Sequence, residues 1–359
     1  MPTPYETLIE AATQLDDSDA EVEDPEQLTE AELAAILGPN WPAFEQARAS
    51  LRDKPRVTIR YEASYYEDRR KDLQPCRILA RYLGFASLLA KLRGDFAEAA
   101  RLGLDNLELA HTMGSAGLIV DYLVGEAFAG VGTDSLRKIR NRLDESTRRM
   151  VIDRVIAWEA ERWPAEEIIA HDAHWMEISG YVDPPDDSDH SDFWDDETLS
   201  EEDRAMLRDI DETVSELAKQ PSEVLNPMYL HVETRALAML RMLAIDLALR
   251  SCRDANGEYP ERLTVLETIL PEGLPLDPYT AVPFIYRREA DAFQLYSPGP
   301  SGVDHGGTFG FWPAIDSGLS DFCLDARDYA EVEFSMCVPT PRPGFVARSV
   351  KTIRGWWKS

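Results

Sequence analysis

Apolar residues recur at helical intervals through most of the chain and give way, near residue 251, to short alternating runs broken by turns. Residues 1–32 are acidic and poor in large apolar side chains, which predicts a flexible arm. From "TEAELAAILG" onward the spacing is helical. Thr29 and Glu32 stand as a capping-box pair, and Leu33, Ile36 and Leu37 share a face. "VTIRYEASYY" (57–66) alternates like a strand, but its helical neighbours favour an extended lead-in. Two helical runs split at Gly94-Asp95 predict an antiparallel hairpin over 73–113, and Pro164 suits the first turn of a later helix. Segment 33–181 therefore reads as a helical domain.

"VDPPDDSDHSDFWDDETLSEED" (182–203) is acid-dense with little to bury, so it predicts an exposed loop or disordered insert. Phe193-Trp194 within it either anchors the loop or offers a short partner motif. Segment 204–250 continues the helical domain, and its longest apolar helix stops at Asn256-Gly257 in the manner of a left-handed C-cap. Over 251–338 the grammar is strands and turns, with "PFIYRREADAFQLYS" a hairpin tipped by Glu289-Ala290-Asp291. The predicted class is α+β: a mainly helical bundle or hairpin array, then a small antiparallel sheet packed on the end of a long helix.

Charge narrows the partners. Lys and Arg number 37 against 66 Asp and Glu, a formal charge of -29, and such a surface repels phosphate backbones, so no nucleic acid is expected. No basic-then-apolar leader and no uncharged apolar run of ~18 residues appears, which predicts a cytoplasmic location. Cys76, Cys252, Cys323 and Cys337 are scattered without a CxxC, so neither a zinc site nor a disulfide framework is indicated; Cys323 and Cys337 pair only if their flanking strands meet.

Two stretches resemble known families. In "RGDFAEAARLGLDNLELA", Gly94, Phe96, Ala99, Leu107 and Leu109 stand where a tetratricopeptide-type hairpin places its turn glycine, aromatic, small residue and closing leucines. Leu83 and Ser87 depart from that signature, and no second copy follows at a period of about 34 residues. The second stretch, 248–307, is similar to the periplasmic part of the type II secretion major pseudopilin. The likeness lies in Asn256, Gly257, Tyr259 and Pro260, then Asp277, Pro278, Pro283 and Tyr286. It continues in the "LYSPGPSGVDHGG" loop through Tyr296, Ser297, Gly299, Gly302, Gly306 and Gly307. The resemblance implies envelope association and a calcium-binding loop, an arrangement of hard oxygen donors. Carried over by position, the donors are the Leu295 carbonyl, Ser297 and Asp304, with Asp316 the nearest further carboxylate. An ordinary glycine-rich turn is the other reading. The family's leader and filament helix have no counterpart here, so filament assembly is not carried over.

Other chemistry is sparse. Glu167, His171 and His174 fall on one helix face at i, i+4 and i+7, a set that transition metals accept, though HExxH is absent. Histidines so placed also decorate helices beside an interface. No nucleophile elbow and no phosphate-binding lysine loop appears, so the chain reads as non-enzymatic. In the tail (339–359) Arg348, Lys351 and Arg354, with Trp356 and Trp357, make a basic amphipathic pattern. It suits a membrane surface or a protein partner, or folds back on the acidic body. The expected function is a structural or protein-interaction protein of a bacterial envelope or secretion-type system. The alternatives are a cytoplasmic helical scaffold binding a peptide, and a metal-dependent hydrolase using Glu167, His171 and His174.

Overall fold

Helices begin where the sequence supplies caps. The structure, a computed structural model, describes residues 2–325 apart from 17–21, 23–24, 116, 181–221, 271, 311–314, 316–317 and 319. Helix α1 (Pro4–Ala12) opens on a capping box, with the Thr3 side chain accepting from the Glu6 amide and the Glu6 carboxylate accepting from the Thr3 amide. Leu8, Ala11 and Ala12 are fully buried. This corrects the expectation of a flexible arm over 1–32: a stretch can be acidic overall and still carry one apolar stripe with a cap in front of it. Helix α2 (Glu30–Leu51) begins at the expected Thr29–Glu32 box and buries Leu33 and Leu37.

Residues 57–61 belong to neither a helix nor a strand and lead into the next helix. Val57 is buried, and Trp175 Nε1 donates to the Arg60 carbonyl at 2.8 Å. Helices α3 (Tyr65–Leu92) and α4 (Phe96–Gly114) form the predicted hairpin, with Gly94 left-handed at φ 78° and Asp95 capping α4. Helix α5 (Ile119–Ile139) packs closest to α4. A Cβ on Gly132 would lie 2.6 Å from the Gly103 carbonyl oxygen, so only hydrogen fits there. Helices α6 (Glu145–Glu161), α7 (Ala165–Ser179) and the long α8 (Ser222–Asn256) complete the helical body. Pro164 is the N-cap of α7, one place before the first turn.

Helix α8 stops at Asn256, and Gly257 follows at φ 83°. Strands β1 (Ile285–Glu289), β2 (Ala292–Ser297) and β3 (Phe322–Cys323) make an antiparallel sheet in that order, with Glu289 opposite Ala292 across the hairpin and Tyr296 opposite Cys323. The chain is thus α+β, mostly helical with one small sheet. The β unit has no separate core: Tyr259, Leu266, Phe284, Tyr296 and Phe322 belong to the same buried cluster as Leu243 and Leu247 of α8. An ion ladder fixes the seam. Arg137 and Arg140 each hold an Asp325 oxygen, at 2.9 and 2.7 Å, while Asp246 on α8 lies 3.5 Å from Arg140 and accepts from Arg250 at 2.5 Å. Among the described residues no helix is long and apolar enough to cross a membrane.

Candidate functional site

Helix α5 enters the bundle with carboxylates on its exposed amides. Asp121 accepts from the Leu118 amide at 2.9 Å, and Asp172 of α7 accepts from the Ile119 amide at 3.0 Å. On one side Asp121, fully buried, faces Arg69 of α3, whose Nε is 2.7 Å away and whose side chain is 2% exposed. Arg69 also reaches Asp72 at 3.1 Å, Met113 Sδ at 3.4 Å and the Tyr5 hydroxyl, so one guanidinium joins α1, α3, α4 and α5. Burial disfavours both charges of the pair. For Arg69 the fields of Asp121, Tyr5 and their neighbours together more than offset it, while the wholly enclosed Asp121 carboxyl ends above the usual carboxylate range.

On the other side the end of α4, the first half of α5 and the end of α6 enclose a cleft of ≈ 260 Å³, open mouth included. Its walls are His111, Tyr122, Glu126, Trp158, Arg162 and Trp163. Arg162 donates to Glu126 at 2.5 Å and to Tyr122 at 3.1 Å, and lies 3.7 Å from Glu233 of α8. Its guanidinium stacks 5.2 Å from the Trp158 ring, and Trp158 Nε1 donates to the Leu107 carbonyl at 2.7 Å. Burial raises the Glu126 carboxyl, with Arg162 working against the rise. Burial, then Arg56, pushes His111 down to about 4, so it sits neutral in the wall. Glu126 Oε2 and Arg162 Nη1 are buried without a hydrogen-bond partner. None of these groups was named from sequence, because Glu126, Arg162 and Glu233 share no local spacing. The Arg162-Trp163-Pro164 run between two helices was the one available signal.

Of the sequence-named residues, His171 uses both ring nitrogens: Nδ1 lies 3.2 Å from the Gly117 carbonyl and Nε2 3.4 Å from the Tyr61 hydroxyl. His174 lies edge-on to Tyr61 at 6.1 Å, and Glu167 is exposed in the first turn of α7. Among the described residues no group of three or more His, Cys, Asp or Glu could hold a metal ion.

Of the calcium donors carried over by position, Ser297 and Asp304 have hydrogen-bond partners within the β unit. Leu295 pairs with Tyr286 inside the sheet, and buried Ser297 donates to Asp277 at 2.8 Å while accepting from the Gly299 amide at 2.9 Å. Asp304 accepts from Tyr296 Oη at 2.9 Å, the Gly306 amide at 2.7 Å and Arg287 at 3.0 Å. Asp316, Cys337, Phe193-Trp194 and the basic tail with Arg348, Lys351, Arg354, Trp356 and Trp357 lie outside the described residues. Cys323 is buried in β3.

Compared with protein-family models, with curated proteins and with solved structures, the chain matches none.

Proposed function

We propose that this chain is a non-enzymatic structural or protein-interaction protein of a bacterial envelope or secretion-type system, in which a helical body carries a pseudopilin-like β unit. The observation that carries this reading is the order of parts after residue 222. A long helix ends at Asn256-Gly257, Tyr259 is buried beneath the sheet, and Asp277 starts a tight turn before an antiparallel hairpin. A glycine-rich loop then leads to a third strand. Arg162 spends its contacts on Glu126, Tyr122 and Glu233, which supports a structural role for these groups.

Photo-crosslinking in cells tests the proposal. A crosslinking residue at Val282 or Val303, both exposed on the β unit, should capture envelope or secretion proteins. Adducts confined to Trp41 or Leu92 on the helical body would favour the peptide-binding scaffold instead. No adduct at any of the four positions would overturn the interaction reading.

A further inference from the structure

We infer that Arg287 is the built-in cation of the glycine-rich loop, and that this loop closes on a guanidinium rather than on a metal ion. Arg287 projects from β1, and its two terminal nitrogens take different oxygens of the loop: the Asp304 carboxylate at 3.0 Å and the Gly306 carbonyl at 3.0 Å. A carboxylate and a carbonyl are the donor types a calcium ion would take from such a loop. The guanidinium also lies 5.4 Å from the Tyr296 ring, whose hydroxyl fills the other Asp304 oxygen together with the Gly306 amide. With three N–H or O–H donors in place, Asp304 has little left for a cation, and the adjacent positive charge repels one. The Gly306 amide, with Tyr296 and Arg287, holds the Asp304 carboxyl below the usual range, consistent with a filled set. Beneath this clamp Asp321 fastens the same loop from inside, accepting the His305 and Gly307 amides at 3.0 and 2.8 Å.

Arg287 and Asp304 are each nearly half exposed, so the pair alone contributes little to global stability. Its effect is local, and the measurement has to be local too. The inference uses only these contacts and does not rest on the envelope reading. A calcium-binding result would overturn it and leave the crosslinking result untouched.

Hydrogen exchange followed by mass spectrometry on the full chain decides it. In the wild type, peptides spanning 299–309 should exchange at the same rate with millimolar calcium and with chelator. Arg287→Gln should speed that exchange about tenfold, and Arg287→Lys, which keeps the charge but not both contacts, by less. Unchanged exchange in α3 and α4 shows that the variants are folded. Slower wild-type exchange in calcium, or Arg287→Gln exchanging as the wild type does, would overturn the inference.

Discussion

In the helical body, buried charge is met by opposite charge: Arg69 faces Asp121, and Arg162 faces Glu126, across helix boundaries. In the β unit, Asp277 and Asp321 are equally buried, yet their hydrogen bonds come from backbone amides and hydroxyls, with the His305 ring 3.5 Å from Asp321. Asp277 gathers the Tyr279 amide, Thr280 Oγ1 and Ser297 Oγ, while Asp321 gathers the His305 and Gly307 amides. The difference follows from where spare N–H groups are. A helix interior has already used its amides, so a carboxylate between helices finds donors only on side chains or at a helix start. A turn-rich loop leaves amides unpaired, and one aspartate can collect two of them. The body therefore depends on pairs between side chains of different helices, and the β unit on amides and hydroxyls that its turns leave free.

The largest expected effect comes from breaking a pair in the body. Arg69→Met should cost about 3–5 kcal/mol, because Asp121 stays enclosed without its cation. Arg69→Met combined with Asp121→Leu should be more stable than Arg69→Met alone in urea denaturation, though short of wild type because the Leu118 amide loses its cap. Equal losses in the single and double variants would show that the pairing is not what matters there.

A sharper probe of the β unit is the isosteric change that removes one acceptor. At Asp321 both oxygens face amides that cannot turn, so Asp321→Asn sets an NH2 against an N–H and should cost about 2–3 kcal/mol. At Asp277 one oxygen faces two hydroxyls, which can rotate to accept, so Asp277→Asn should cost about 1 kcal/mol. The order of the two melting temperatures is the test. Asp277→Asn falling below Asp321→Asn would mean that the hydroxyls are fixed.

What could be read from sequence follows the same division. Thr29 with Glu32, Gly94-Asp95, Asn256-Gly257 and the 289–292 hairpin tip act within a few residues, and each stands where its spacing places it. Helix α1 was legible too, since Thr3, Pro4 and Glu6 spell a capped start, but the acidity of 1–32 outweighed that signal. The cleft was not legible. Arg162 meets Glu126 and Glu233 only because α5, α6 and α8 come together, and no local pattern encodes that meeting. His171 shows the reverse failure. Its spacing with Glu167 and His174 suits a metal, but tertiary packing gives its ring to Gly117 and Tyr61.

A pH-dependent effect tests whether single enclosed groups in the body titrate as their surroundings require. His111 protonates at about 4 in the fold, against 6.5 for the free side chain, chiefly because of burial. Between those values the unfolded chain binds more protons, so this contribution is complete above the upper one and is lost as pH falls toward the lower. Asp172, raised to about 6 from 3.8 again chiefly by burial, has the opposite sign. Its contribution is complete at low pH and is lost as pH rises through about 6. The two windows overlap, and in the wild type their slopes oppose each other. His111→Gln should remove one slope and leave a protein that gains stability relative to wild type as pH falls through the window. Asp172→Asn, which keeps an acceptor for the Ile119 amide, should do the reverse and gain relative stability near neutrality. Each difference should reach about 1–2 kcal/mol after allowance for partial solvent access. Urea denaturation of the three proteins at several pH values measures both differences. Stability curves that stay parallel to wild type across the window would mean that neither group changes its protonation on folding.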